Sequence, residues 1–412
     1  MTTINIDRLS QEIDHLATFS AAEAPCVTRV LYSREDQAAR VWLRGIMQQA
    51  GLEIREDGLG NLFARWPGSE PDLPAIGTGS HCDAIPFSGK YDGVVGVLGG
   101  LEAIRALQAA GVQPRRSIEV VMFTAEEPTR FGIGCLGSRA MAGTIAPGDL
   151  PAMQDADENR LDDLRAAAGF DGDLSEVRLP QDYYHSFIEL HIEQGPRLER
   201  EQLQIGIVTS IAAPATLRVT LHGDGGHAGA TLMPGRRDAL VAAAEIVKDV
   251  EASALESGSP DSVATVGLLE VYPGAVNSIP SRVTMEIDIR DTQLASRDGM
   301  VERVQQTIAA VTEARAIQGE VEILNADDPC QSSPLIVETA EAVTKEKGYS
   351  YKKLPSRAYH DTLFMAQLCP TAMIFVPSEN GYSHRPEEYT SPAEIARGVE
   401  VLALTMARLA AM

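Results

Sequence analysis

Gly79-Ser80-His81-Cys82-Asp83, followed eleven residues after its histidine by Asp92 in Lys90-Tyr91-Asp92-Gly93, is the stretch on which the fold turns. The apolar run before it, Leu73 to Gly77, is short enough for a buried strand. After it, Gly93 to Gly111 reads as a helix, with Val94, Val97, Leu98, Leu101 and Ile104 at helical spacing and a glycine at its end. A histidine and two carboxylates therefore occupy the loop between a strand and a helix, where open α/β sheets carry ligand sites. Alone, such a pair reads as a turn whose acid caps a helix. Its weight comes from the rest of the chain.

Upstream, Ile6, Leu9, Ile13 and Leu16 repeat at helical spacing, and a second helix opens near Ser33, with Asp36 as a box-like cap, and runs to Gly51. Leu52 to Ile54 and Asn61 to Arg65 pair around the turn signal Asp57-Gly58. Downstream, Ser117 to Thr124 is a near-continuous apolar strand, as in a sheet buried on both faces, and it leads into Glu126-Glu127-Pro128. Residues 145 to 180 are polar and read as surface. Phe187 to His191 is another strand, closed by Glu193-Gln194-Gly195-Pro196.

The pattern changes after about Ser210. Leu217 to Leu221 alternates apolar and polar, then come a helix (236 to 252), strands 265 to 272 and 282 to 290, a helix (299 to 315) and a strand (320 to 324). This β-α-β-β-α-β order is the split βαβ unit, a two-layer domain in its own right. The buried-sheet style returns after Asp327, with helices over 336 to 348 and 360 to 368, a strand over 372 to 376 and a last helix capped by Ser391-Pro392 with Glu394. The reading is an α/β protein: a catalytic domain of residues 1–210 and 327–412, with a mixed sheet between helices, and an inserted α+β domain of residues 211–326.

The charge balance, −23 over 412 residues, argues against nucleic acid and anionic membranes as partners. There is no run of about 18 apolar residues and hence no expected membrane span. Met1-Thr2-Thr3-Ile4-Asn5 lacks a basic region followed by an apolar stretch, so no signal peptide is expected. The five scattered cysteines, without Cys-x-x-Cys spacing, suit reduced thiols in a cytoplasm.

Of eight histidines, His81, His191 and His384 fall at strand ends or in glycine-rich loops of the sheet domain. With Asp92 and the Glu126-Glu127 pair they form a mixed nitrogen and oxygen set that suits Zn²⁺, Mn²⁺ or similar ions. Adjacent glutamates on an extended segment point opposite ways, so one can bind metal while the other faces water. Any one of these residues alone reads as a cap or a hydrogen-bonded core histidine; six together at sheet edges do not.

Ser80-His81-Cys82-Asp83 with Tyr91-Asp92-Gly93, Glu126 to Phe131, Leu190 to Pro196, Gly226-His227-Ala228-Gly229 and Ser383 to Tyr389 resemble, in order, the dinuclear amidohydrolase branch of the zinc peptidase family that includes carboxypeptidase G2. The resemblance covers essentially the whole chain. It implies an aminopeptidase-like catalytic domain with an inserted dimerisation or lid domain, and two divalent metal ions per subunit: Mn²⁺ or Zn²⁺, with Co²⁺ or Ni²⁺ also accommodated. It implies that His81, Asp92 and His191 hold one ion, that Glu127 and His384 hold the other with Asp92 bridging, and that Glu126 is the general base. It further implies substrate contacts from Gln194, His227, Asn277, Arg290, Tyr359 and His360, and a homodimer in which His227 crosses to the neighbouring site. The family's peptidases usually carry a carboxylate where His191 stands, which favours the amidases. Within the branch, Ala84 to Asp92 and Ser356 to Asp361 look most like the members that cleave ureidoglycolate.

The implied activity is hydrolysis of the ureido C–N bond of a small carboxylate. A ureido carbonyl is a poor electrophile and calls for metal assistance, a base and an oxyanion donor, for which His227 is the candidate. Allantoate and N-carbamoyl-L-amino acids are the alternative substrates, and a metallopeptidase is the more distant reading. A metal-binding scaffold without catalysis is the rival from another class; the surplus acid Glu126 speaks against it.

Overall fold

The strand before the metal-type loop spans Ala75–His81, and every residue of it is buried. It lies inside a mixed sheet whose strands run Ile205–Ile211, Thr371–Val376, Tyr184–Ile192, Ala75–His81, Ile118–Phe123, Leu62–Trp66 and Glu53–Glu56. Thr371–Val376, Tyr184–Ile192, Ala75–His81 and Ile118–Phe123 are parallel, and the outer pairings are antiparallel. These parallel strands are almost wholly buried, which is why their sequences read as apolar runs rather than as alternation.

The computed structural model describes residues 2–412. The chain divides into two units: the residues up to Thr209 with Ser332–Leu354 and His360–Met412, and Ser210–Gln331 with Pro355–Tyr359. In the first unit the helix Val94–Ala109 presents a glycine face to the sheet. A Cβ on Gly96 would sit 2.5 Å from the Leu190 carbonyl oxygen and 2.6 Å from Ser80 Cβ. Only glycine permits that approach, and it seats the start of the helix, with Asp92 just before it, close to the ends of the neighbouring strands. The last helix, Pro392–Ala410, has the capping box its sequence announces, with Ser391 accepting from Glu394 N–H and the Glu394 carboxylate accepting from Ser391 N–H.

Residues 145–180 depart from the surface reading. Leu150, Leu161, Phe170, Leu174, Val177 and Leu179 are buried against Phe123, Phe187 and Met365 in a second core. The polar spacing of this segment hides single apolar anchors too far apart to register as a periodic face. The expected helix 360–368 is also shorter, spanning Thr362–Met365.

The second unit has an antiparallel sheet in the order Val263–Tyr272, Arg282–Asp291, Ala213–His222, Gln318–Ala326. Its helices Ala239–Leu255 and Leu294–Arg315 cover one face, over Leu217, Val219, Leu221, Val283, Met285 and Ile287. The opposite face carries Arg218, paired with Glu286 and Glu322. A small ribbon pairs Gly226–His227 with Ser278–Ile279. Among the described residues no helix is long and apolar enough to cross a membrane.

Candidate metal centre

His81 closes its strand, and Asp92 ends the loop leading into the helix Val94–Ala109. Gly93 turns the chain there at φ +65°, and a Cβ on it would meet His81 Nε2 at 2.5 Å. The turn aims Asp92 back at the sheet. Its Oδ1 lies 3.3 Å from Nε2 of His81 and 3.3 Å from Nε2 of His191. Its Oδ2 lies 3.5 Å from Nε2 of His384, which is 3.2 Å from Glu127 Oε1. Asp92 is thus shared by two groups, His81–Asp92–His191 and Asp92–Glu127–His384, each with donor atoms within 4.8 Å of one another.

The donor chemistry fits divalent ions. His81 Nδ1 is 3.1 Å from the Asp83 carbonyl oxygen and His191 Nδ1 is 2.9 Å from that of Ile192. A carbonyl only accepts, so both Nδ1 atoms carry a hydrogen, which leaves the two Nε2 atoms, both facing the same carboxylate oxygen, as the ring positions that can bind an ion once deprotonated. A ligating histidine held through its other nitrogen by a carbonyl is the usual outer arrangement of a metal site. The field agrees. Burial opposes a charged His81, but Glu126, Asp83 and Asp92 outweigh it and raise its pKa well above the usual value. Burial likewise opposes the Asp92 carboxylate, and His191 and His81 more than reverse this, holding it well below the usual range.

A third group, Glu189–His191–His360, does not make a separate centre. It shares His191, whose Nδ1 is engaged by Ile192. Glu189 accepts from the Ser80 hydroxyl at 2.7 Å and from the Thr362 N–H and hydroxyl at 3.2 and 2.6 Å.

Glu126 belongs to neither ligand group. Its Oε2 is 3.7 Å from His81 Nε2 and its Oε1 is 3.5 Å from Cys135 Sγ. Burial first, then the charges of Glu127, Asp361 and Asp83, push its pKa well up against the pull of His81. Asp83 holds the loop from below, accepting from Glu126 N–H at 3.2 Å and Glu127 N–H at 3.0 Å. Ala125, Gln194 and His384 all adopt positive φ, at 53°, 55° and 59°. Each non-glycine residue in that region costs about 1 kcal/mol or more, a strain typical of sites whose surroundings over-determine them.

The residues expected at the substrate fall in several places. Gln194 donates from Nε2 to Asp92 Oδ2 at 2.6 Å, beside the ligands. His360 is buried, its ring 4.6 Å from that of His191. In the second unit, the Tyr359 hydroxyl donates to the Asp327 carboxylate. Arg290 holds Asp288 in a fork, Nε–Oδ1 2.7 Å and Nη2–Oδ2 3.1 Å. His227 ends the exposed ribbon strand Gly226–His227, where its Nδ1 accepts from Gly229 and Ala230 N–H at 3.1 and 3.2 Å, and the Asn277 carbonyl accepts from Ala228 N–H at 2.8 Å. Sequence reasoning missed Glu388, which is buried and whose Oε1 accepts from Tyr91 N–H at 2.8 Å and Asp92 N–H at 3.0 Å. The only sign of it was an acid four residues after His384.

Residues 77–408 match the model of peptidase family M20/M25/M40. The chain belongs to this family. Family membership brings metal dependence, in keeping with the two donor groups around Asp92. A ureidoglycolate hydrolase of Oryza sativa subsp. japonica is 53% identical over 411 residues, covering 98% of this chain and 85% of the relative. The crystal structure of AtUAH in complex with glyoxylate superposes with a TM-score of 0.88 at 49% identity, covering 99% of this chain and 98% of that one. A hydantoinase/carbamoylase family amidase from Burkholderia multivorans gives a TM-score of 0.91 at 33% identity, over 100% of this chain and 99% of that one.

Proposed function

We propose that this protein hydrolyses ureidoglycolate: water breaks the ureido C–N bond and releases one ammonia, the resulting carbamate loses carbon dioxide, and the hydroxyglycine left behind gives up a second ammonia to yield glyoxylate. The observation that carries the reading is the histidine-rich donor set around Asp92, in a chain similar over nearly its whole length to a rice ureidoglycolate hydrolase. In this reading His81, Asp92 and His191 hold one divalent ion, and Glu127, His384 and the shared Asp92 hold a second, Mn²⁺ or Zn²⁺, with Co²⁺ and Ni²⁺ also accepted. Such ions, when bound, polarise the carbonyl and acidify water.

The chain's own residues do the rest. Glu126, outside both ligand groups, takes a proton from the attacking water as the C–O bond forms and returns it to the leaving nitrogen as the C–N bond breaks. His227 has its Nδ1 occupied as an acceptor, so the neutral ring presents Nε2–H, the donor an oxyanion needs. Arg290 exchanges Asp288 for the substrate carboxylate, which matches its planar fork. Gln194, Asn277, Tyr359 and His360 complete the substrate environment. The active form is a homodimer through the second unit, whose edge strand Val263–Tyr272 exposes Val263, Leu268 and Leu269, and in which His227 serves the neighbouring chain. The free thiols support a cytoplasmic location.

The likeness to a carbamoylase-family amidase keeps N-carbamoyl amino acids, and with them allantoate, as the second reading. Ammonia release by metal-reconstituted protein on ureidoglycolate, allantoate and N-carbamoyl amino acids, beside amino acid release from dipeptides, tests all of these. Preference for ureidoglycolate is expected, and a higher kcat/KM on any other compound overturns the assignment.

A further inference from the structure

Three consecutive amides at the head of the helix Val94–Ala109 have side-chain acceptors from distant parts of the chain. Gly93 N–H points at His191 Nε2, 3.1 Å away, whereas Tyr91 and Asp92 N–H both donate to one oxygen of Glu388. The other Glu388 oxygen is 3.1 Å from the Ser383 hydroxyl, which donates to Asp92 Oδ2 at 2.5 Å. Asp92 is therefore gripped twice from the same loop, at its backbone by Glu388 Oε1 and at its carboxylate through Ser383. His384 sits between these two residues in sequence, so the loop that supplies one metal-type ligand also fixes the orientation of the shared one.

Gly89 gives an independent sign that the carboxylate is built into its seat. A Cβ there would lie 2.4 Å from Glu388 Cβ and 2.5 Å from its Oε1, so the loop before Asp92 leaves out a side chain where Glu388 enters. Glu388 is only 4% exposed. A buried carboxylate beside another carboxylate is costly, and plain capping of a turn can be done by a neutral oxygen.

We propose that Glu388, acting with Ser383, is a positioning residue for Asp92 and sets the affinity of the metal centre without touching an ion. The inference rests on the two-ion reading of the Asp92 groups. A side chain that holds a ligand from outside the coordination sphere is worth about 10–100-fold in metal affinity. A simple loop cap would lower folding stability and leave the affinity of the folded protein unchanged.

The test is titration of full-length apo protein with Mn²⁺ alone, read calorimetrically and by metal content after dialysis, beside urea unfolding in chelator. Glu388→Ala is expected to lose about 10–100-fold in Mn²⁺ affinity. Glu388→Gln keeps an oxygen for the two amides and should recover most of that loss. Ser383→Ala leaves the amides satisfied, should unfold at the wild-type urea midpoint, and should still bind Mn²⁺ several-fold more weakly. Wild-type affinity in both Glu388→Ala and Ser383→Ala overturns the proposal, as does a Gln variant as weak as the Ala variant. If Glu388→Ala does not fold, the Ser383→Ala result decides: unchanged affinity sinks the proposal and weakened affinity upholds it. Failure of wild type to bind Mn²⁺ at all would instead sink the two-ion reading beneath it.

Discussion

Replacing Glu126 by glutamine separates the proton carrier from the ligands. The substitution is close to isosteric, the backbone of residue 126 is held at both ends, its N–H donating to Asp83 and its carbonyl accepting from Cys135 N–H at 2.8 Å, and the glutamine amide oxygen can keep the Cys135 Sγ contact. The side chain should therefore stay where it is. It contributes no atom to His81–Asp92–His191 or to Asp92–Glu127–His384, so the ion content should hold. What disappears is a general base, worth about 10²–10⁴ in rate. At about 1.36 kcal/mol per decade this corresponds to roughly 2.7–5.4 kcal/mol of barrier. The loss should fall on kcat with KM little changed, because the proton moves only in the transition state. Ammonia release measured beside elemental analysis of the same samples checks both halves. A variant within tenfold of wild-type kcat would remove Glu126 from the base role, and one that has lost its ions would make it a ligand.

Arg290→Lys keeps the charge and loses the planar fork, so KM for a carboxylate substrate should rise strongly at constant metal content; equal hydrolysis of a carboxamide analogue by wild type would refute the role. Burial pushes the thiols of Cys82, Cys330 and Cys369 up to about 12, so at pH 8 they are protonated and should resist alkylation in the folded protein, and mass spectrometry should find the half-buried Cys26 labelled before the buried Cys82 and Cys369. For the same reason Cys82→Ala should retain metal and most activity, and loss of an ion would make Cys82 a ligand. Mixing Glu126→Gln with His227→Ala under subunit exchange should restore about one quarter of wild-type activity, because half the dimers are mixed and one of their two sites is whole; no recovery with exchange verified would assign His227 to its own chain.

His81, Glu127 and His191 could be picked out of the sequence because they stand at or just past the ends of parallel strands, which announce themselves as apolar runs stopping at polar residues, and Asp92 and His384 because they lie in the glycine-containing loops that follow such strands. Glu126 was legible as the acid left over beside Glu127. Glu388 was not, because accepting two amides from residues almost three hundred positions away leaves no periodic trace. Gln194 and His360 show the same limit from the other side. Both lie in recognisable motifs, yet whether such a residue faces a ligand, as Gln194 faces Asp92, or packs behind one, as His360 does behind His191, is decided by the tertiary packing. The apolar anchors within 145–180 escaped because an irregular segment has no repeat to betray its buried side.

The order of strands in the sheet bears on how the protein matures. Thr371–Val376 lies next to Tyr184–Ile192, although nearly half the chain separates them in sequence. During synthesis the edge of Tyr184–Ile192 waits for a partner that emerges near the end, and such non-local pairings close slowly. Ser383, His384 and Glu388 follow that late strand. A nascent chain can thus gather His81, Asp92 and His191 but not the Asp92–Glu127–His384 group. The second group is completed only after that late strand has been made, and a nascent chain still lacking it exposes an apolar strand edge that chaperones would have to cover.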